Sequence, residues 1–246
     1  MAYGDWKFTL RGSGDFANGT LPNGEDGAPR LNSSLSDPLT GSGDFCREFA
    51  MVSNNAARVV AEISSSVSGG LFTEVPSTKA ISVRASLRSS NTTTAFNMFV
   101  GVGAKLDEDG VTNQNYTPRG YSVYLGDDSS ASGNNKLVLS MRDTTSVQKS
   151  VLMSGTYGSD TWHHVRMDVT PIGTIQDRIE VYTGSAEGGN SWELVHTEIV
   201  LNTDPHFIPW GESGEGEIGY FAAAPDAFTP LKKLHIDNFE AYVVDV

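Results

Sequence analysis

"TWHHVRMDVT", Thr161 to Thr170, is the stretch on which the reading of the whole chain turns. Its two adjacent histidines invite a metal site, or a catalytic base with its partner. The surrounding residues alternate, however: Val165, Met167 and Val169 share one parity, and His164, Arg166 and Asp168 share the other. Successive side chains of a strand point to opposite faces. His163 therefore ends an apolar face, while His164 travels with Trp162, Arg166 and Asp168 on a polar, solvated one. Neighbouring strand positions cannot ligate one ion or relay one proton without a bulge. The pair is read as structural.

The same period of two extends in both directions. In "KAISVRASLR" (Lys79–Arg88), Ile81, Val83, Ala85 and Leu87 alternate with Ser82, Arg84, Ser86 and Arg88. "AFNMFVGVGA" groups Phe96, Met98, Val100 and Val102. "GYSVYLG", "NKLVLSMRD", "DRIEVYTG", "WELVHTEIVL", "EIGYFAAA" and "LHIDNFEAYVV" follow, short and rich in β-branched and aromatic residues, with Gly, Asn, Asp and Ser between them. No window carries an apolar stripe of helical period. The expectation is an all-β fold of about ten to thirteen strands, too many for one twisted open sheet and so arranged as two packed sheets or a barrel. Val165, Met167, Val169, Ile179 and Val181 are expected to face Val83, Leu87, Met98 and Val100 of the opposite sheet.

The 246 residues suffice for one large β domain. Lys and Arg number 17 against 30 Asp and Glu, a net charge of −13, and the basic residues form no stripe, which argues against nucleic acid as a partner. Cys46 is the single cysteine, so no disulfide closes within the chain. "MAYGDWKFTLRGSG" lacks the blocks of a signal peptide, and no stretch approaches the roughly 20 apolar residues of a membrane span. A soluble chain made in the host cytoplasm is expected.

Residues 1–45 differ from the rest. They are dense in Gly, Pro, Asn, Asp and Ser, and "GSGDF" occurs twice, at Gly12–Phe16 and Gly41–Phe45. This composition breaks helices and strands alike. It is read as an extended N-terminal arm on a domain spanning 46–246. Tyr3, Trp6, Phe8 and Leu10 could anchor the arm or add a strand to a partner's sheet edge.

The order "GYSVYL", "NKLVLSMRD", "WHHVRMDVT", "DRIEVYTG", "GEIGYFAAA", "LHIDNFEAY" resembles the concanavalin A-like jelly roll, particularly its laminin-G-like branch. There a W-x-x-V-x-V strand precedes a strand ending in a Gly turn, an I-G-F/Y segment and a closing I-D-N-F/V strand. The likeness covers roughly residues 79–246 and implies a two-sheet antiparallel sandwich. Glycoside hydrolases of this fold carry a pattern resembling E-x-D-x-x-E. The nearest stretch here is "HIDNFE", where His235 occupies the nucleophile position and Asp237 and Glu240 match the other two. A retaining mechanism needs two carboxyl groups, one as nucleophile and one as acid. No G-x-S-x-G elbow or phosphate loop appears. The expectation is that the protein is not an enzyme and has no catalytic residues.

Calcium is the one cofactor considered, at the acidic turns Leu106–Gly110, Gly126–Asp128 and Gly24–Gly27, none of which completes an EF-hand loop. Tyr116, Trp192 and Trp210 lie in or beside loops, and Tyr116, Arg119 and Trp210 are the candidates for glycan contact. Taken together, the profile resembles a bacteriophage virion protein: a head decoration, tail, baseplate or fibre component that joins other virion proteins through its arm, as a homo-oligomer or within a larger assembly. A lectin-like module for cell-surface glycan is the alternative, and a glycoside hydrolase the third reading.

Overall fold

The structure, a computed structural model, describes residues 6–10, 30–32, 46–51, 59–63, 79–89, 99–107, 119–127, 134–142, 148–155, 157–184, 191–207, 215–223 and 232–245. Fifteen strands lie within them. In chain order they are β1 (Trp6–Leu10), β2 (Arg30–Asn32), β3 (Cys46–Met51), β4 (Val59–Ile63) and β5 (Lys79–Ser89). Next come β6 (Phe99–Asp107), β7 (Arg119–Asp127), β8 (Asn134–Arg142), β9 (Gln148–Leu152) and β10 (Tyr157–Gly158). The last five are β11 (His163–Ile172), β12 (Gln176–Gly184), β13 (Trp192–Leu201), β14 (Glu215–Ala223) and β15 (Lys232–Asp245). Among the described residues no helix is long and apolar enough to cross a membrane.

An eight-stranded sheet runs β13-β12-β11-β5-β15-β3-β2, with β1 also on β15. A seven-stranded sheet runs β10-β8-β7-β6-β14-β4, with β9 also on β8. All pairings are antiparallel, and the two sheets form the jelly-roll sandwich expected from the alternation. The strand count exceeds the expected range because β1, β2 and β10 are too short to show a period. Within residues 1–45, β1 lies against Phe239–Tyr242 of β15 and β2 against Cys46–Glu48 of β3, both in the eight-stranded sheet.

The apolar parity of each strand fills the space between the sheets. Ile81, Val83, Leu87, Val165, Met167, Val169, Ile179 and Val181 come from one side and Val100, Val102, Val123, Leu125, Leu137 and Leu139 from the other, all 0 % exposed. Each such side chain contributes about 1.5–3 kcal/mol on burial. One expected pairing is corrected. Val83 and Leu87 do not oppose β11 across the sandwich: β5 is its hydrogen-bonded neighbour, with Val83 beside Met167 and Leu87 beside His163. Val100 does lie in the other sheet, whereas Phe96 and Met98 lie outside the described residues.

Two polar contacts tie the layers. Tyr121 of β7 donates its hydroxyl to Asp177 Oδ2 of β12 at 2.9 Å, both residues being fully buried. At one flank Lys149 of β9 reaches Glu198 of β13 at 2.6 Å, which also lies 3.1 Å from His196 Nε2. A hydrogen bond to a charged group is worth about 1.5–3 kcal/mol, and the buried acceptor cannot turn to water instead. Tyr121→Phe is therefore expected to lower unfolding free energy by about 2 kcal/mol with an unchanged denaturant m-value, a shift in midpoint that urea titration resolves.

Candidate functional site on the outer face of the eight-stranded sheet

The polar parity of β5, β11, β12 and β15 points away from the core, where water would normally receive it. Here it is buried. His164 is 6 % exposed, Arg166 2 %, Asp168 3 %, Ser82 0 %, Ser86 1 %, His235 1 % and Asp237 2 %. This overturns part of the reading of Thr161–Thr170. The histidines do face opposite ways, but the face holding His164 is not solvated.

Strand register arranges the face in rows. One row crosses five strands as Trp192, Gly184, His164, Ser86 and Asp237. The next reads Leu194, Tyr182, Arg166, Arg84 and the backbone position of Glu240, and a third brings Glu180, Asp168 and Ser82 together. Within them Ser82 Oγ donates to Asp168 Oδ1 at 2.6 Å, and Arg166 Nε to the same oxygen at 2.8 Å. Arg166 Nη2 also bonds Asp168 Oδ2, a two-point guanidinium–carboxylate pair. The guanidinium lies over the Tyr182 ring, 4.5 Å from its centroid. Ser86 Oγ and His164 Nδ1 are 2.8 Å apart. At the far rim Arg88 bonds Asp160 at 2.8 Å and stands 3.3 Å from His235 Nδ1, on which Trp162 packs edgewise with ring centroids 6.3 Å apart.

The strand pattern explains why these groups fit. Ser82 and Ser86 are small, and their β11 neighbours in register are Asp168 and His164. Serines on one strand leave room for the larger side chains of the next. On β15 the sequence departs from plain extension: Asn238 has φ 51°, pairing shifts between Asp237 and Glu240, and Asp237 Oδ1 accepts the Asn238 backbone N–H at 2.7 Å. Asp237 thus braces a bulge within the motif compared above with glycosidases, and its neighbour in the nucleophile position is a buried histidine.

Several buried polar atoms on this face have no hydrogen-bond partner among the described residues: Trp192 Nε1, Thr170 Oγ1 and Arg178 Nε, the last in an ion pair with Glu180 at 3.5 Å. Unsatisfied buried groups are rare in folded proteins and call for a specific cause. On the inner side His163 is accounted for. Its Nε2 bonds the Gly158 carbonyl at 2.9 Å, its ring packs edge-on to Tyr157, and burial holds its imidazole below the ordinary value against the opposing effect of that bond.

Of the residues named from sequence, Tyr3, Tyr116 and Trp210 lie outside the described residues. Trp6, Phe8 and Leu10 form the backbone of β1, and Arg119 begins β7 in the other sheet, opposite Asp107. Among the described residues no group of three His, Cys, Asp or Glu side chains is placed to hold a metal ion. What the sequence reading missed is the set Ser82, Arg84, Ser86, Arg88, Arg166 and Tyr182. The available signal was the Ser-Arg-Ser-Arg parity of β5, whose serines are poor residues for a freely solvated strand face.

No family model matches the chain, and no curated protein matches it. Solved structures share its fold. An endo-β-1,4-glucuronan lyase from the fungus Trichoderma reesei superposes with TM-score 0.55 at 9 % identity over 98 % of this chain and 96 % of its own. A conserved carbohydrate esterase from the Shiga toxin-encoding bacteriophage phi24B gives 0.57 at 10 % over 98 % and 99 %. The PL-14 alginate lyase of Aplysia kurodai gives 0.54 at 9 % over 99 % and 100 %. The shared class is a jelly-roll-like β-sandwich. These neighbours overturn the expectation of a non-enzyme: a sandwich of the same extent carries two lyases and an esterase.

Burial, followed by the negative charge of Asp168 and Glu180, pushes the Tyr182 phenol up to about 12 from 10.0, with Arg166 acting in the opposite sense. Burial likewise pushes Tyr124 up to about 12. The folded chain keeps these protons where the unfolded chain has lost them, so their contribution to stability is complete below pH 10 and disappears as pH rises through about 12. Phenolate absorbance is expected to show late-titrating tyrosines, one fewer in Tyr182→Phe. A Tyr182→Phe titration identical to wild type would remove this phenol from the buried face.

Proposed function

We propose that the protein engages polysaccharide at the β13 end of the outer face of its eight-stranded sheet, where Leu194 is half exposed, and acts on it there. The observation that carries this reading is the burial of a dense polar face whose hydrogen-bonding capacity the chain leaves partly unused, at Trp192 Nε1, Thr170 Oγ1 and Arg178 Nε. Planar side chains such as guanidinium, carboxylate and imidazole beside aromatic rings suit the hydroxyl rim and the apolar C–H faces of a sugar. The glucuronan and alginate lyases and the carbohydrate esterase support it as proteins of the same fold.

The described side chains of the face balance in charge: Arg84, Arg88, Arg166 and Arg178 stand with Asp160, Asp168, Glu180 and Asp237. Overall the chain carries −13. Neither feature demands an acidic polymer, so the substrate class is polysaccharide in general. Tyr182, protonated at neutral pH, supplies a hydrogen-bond donor, and Ser86 with His164 supplies a hydrogen-bonded pair in the neighbouring row.

A panel of glucuronan, alginate, neutral glucans and acetylated xylan tests the reading through chain shortening, unsaturated-product absorbance and acetate release. One of these polymers is expected to be bound or turned over, with Arg84→Ala and Tyr182→Phe lowering the signal about tenfold or more while thermal melting stays near wild type. Wild-type protein inert to every polymer would refute it. A second reading, residence on a phage particle where the same face meets surface glycan, is favoured by the bacteriophage source of one fold neighbour. Detection of the chain in purified particles by mass spectrometry checks it.

A further inference from the structure

Gly184 and Trp192 form a contact that only glycine permits. They are register partners at the junction of β12 and β13, and a Cβ built on Gly184 would stand 2.9 Å from Trp192 Cε3 and Cζ3 and 3.3 Å from Cη2. Real Cβ atoms do not approach ring carbons so closely. Gly184 is required here for space, and its missing side chain lets the six-membered ring of the indole lie against the backbone of β12. The ring thereby ends the row that continues through His164, Ser86 and Asp237.

Two further features distinguish this end of the row. Trp192 Nε1 is buried and has no acceptor among the described residues, although a buried indole N–H ordinarily finds one. Beside it in register, opposite Tyr182, Leu194 is 50 % exposed. A large ring, an exposed aliphatic side chain and an unused donor lie next to a buried polar row. A pyranose has the complementary make-up, with an apolar C–H face and a rim of hydroxyl oxygens that accept hydrogen bonds.

We propose that Trp192, seated on Gly184, forms a sugar-binding subsite at the β13 end of the polar face, with the accessible part of the indole ring and Leu194 under a pyranose unit. This rests on the polysaccharide reading above and adds the residues that fix one sugar unit in place.

The test titrates the full chain with oligosaccharides of glucuronan, alginate and cellulose, following intrinsic tryptophan fluorescence and calorimetric heat. Trp192→Phe keeps a six-membered aromatic ring and removes the five-membered ring with its N–H. Gly184→Ala keeps the indole and drives it from its seat. Each is expected to weaken binding of the preferred oligosaccharide about five- to tenfold. Leu152→Ser, at an exposed position on β9 of the other sheet, should bind as wild type. Should Gly184→Ala fail to fold, Trp192→Phe decides alone. If wild type binds and Trp192→Phe binds equally well, the subsite is wrong and the polysaccharide reading stands. If wild type binds none of the three, the subsite falls, and the polysaccharide reading falls with it when acetylated xylan is inert as well.

Discussion

A sheet has two faces, and β11, with most of β5 and the described part of β15, buries both. Its inner face follows from the hydrophobic effect and needs only alternation. Its outer face is a different problem, because guanidinium, imidazole and carboxylate groups removed from water must find partners in one another. They do so along the strand rows. Ser82, Asp168, Arg166 and Tyr182 form one connected set; Ser86 and His164 form another; Arg88, His235 and Asp160 form a third at the rim. Each set draws on at least two strands, so the identity of a residue on β5 depends on its neighbour on β11.

That dependence marks the boundary of what the sequence discloses. Period-two alternation makes the inner face legible, since Val165, Met167 and Val169 need only be apolar and alternate. The opposite orientations of His163 and His164 are legible for the same reason. Which strands are neighbours is not, because alternation gives each strand a buried parity and no address. Val83 looks equally suited to packing across the sandwich and to lying beside Met167 in one sheet. The polar parity is hidden more deeply. Arg166 and Asp168 read as ordinary surface residues until Ser82 and Tyr182, 84 and 16 positions from Arg166 in the chain, are brought beside them by register.

Short catalytic motifs capture only local arrangements. A nucleophile elbow, a phosphate loop or a carboxylate pair on one strand is local, so a short pattern captures it. A site laid across a sheet takes one residue from each of several strands, and its spacing in sequence is set by loop lengths that carry no chemistry. His164 and Ser86 are 78 residues apart yet within hydrogen-bond distance. Absence of a local motif on a sandwich therefore says little about catalysis.

The Arg166–Asp168 pair bears on why such a face exists at all. Moving two charges out of water costs several kcal/mol each, and their attraction repays this only when geometry is good and other groups complete the hydrogen bonding. Replacing a buried pair by apolar residues of similar size is often neutral or stabilising. A sandwich of this size already holds a full apolar layer between its sheets, so stability gives no reason for a second, polar layer. The donors without hydrogen-bond acceptors at Trp192 and Thr170 make the layer costlier still. A face that stability does not require, and that keeps unused hydrogen-bonding capacity beside an aromatic ring, is a cost that the apolar layer between the sheets must offset.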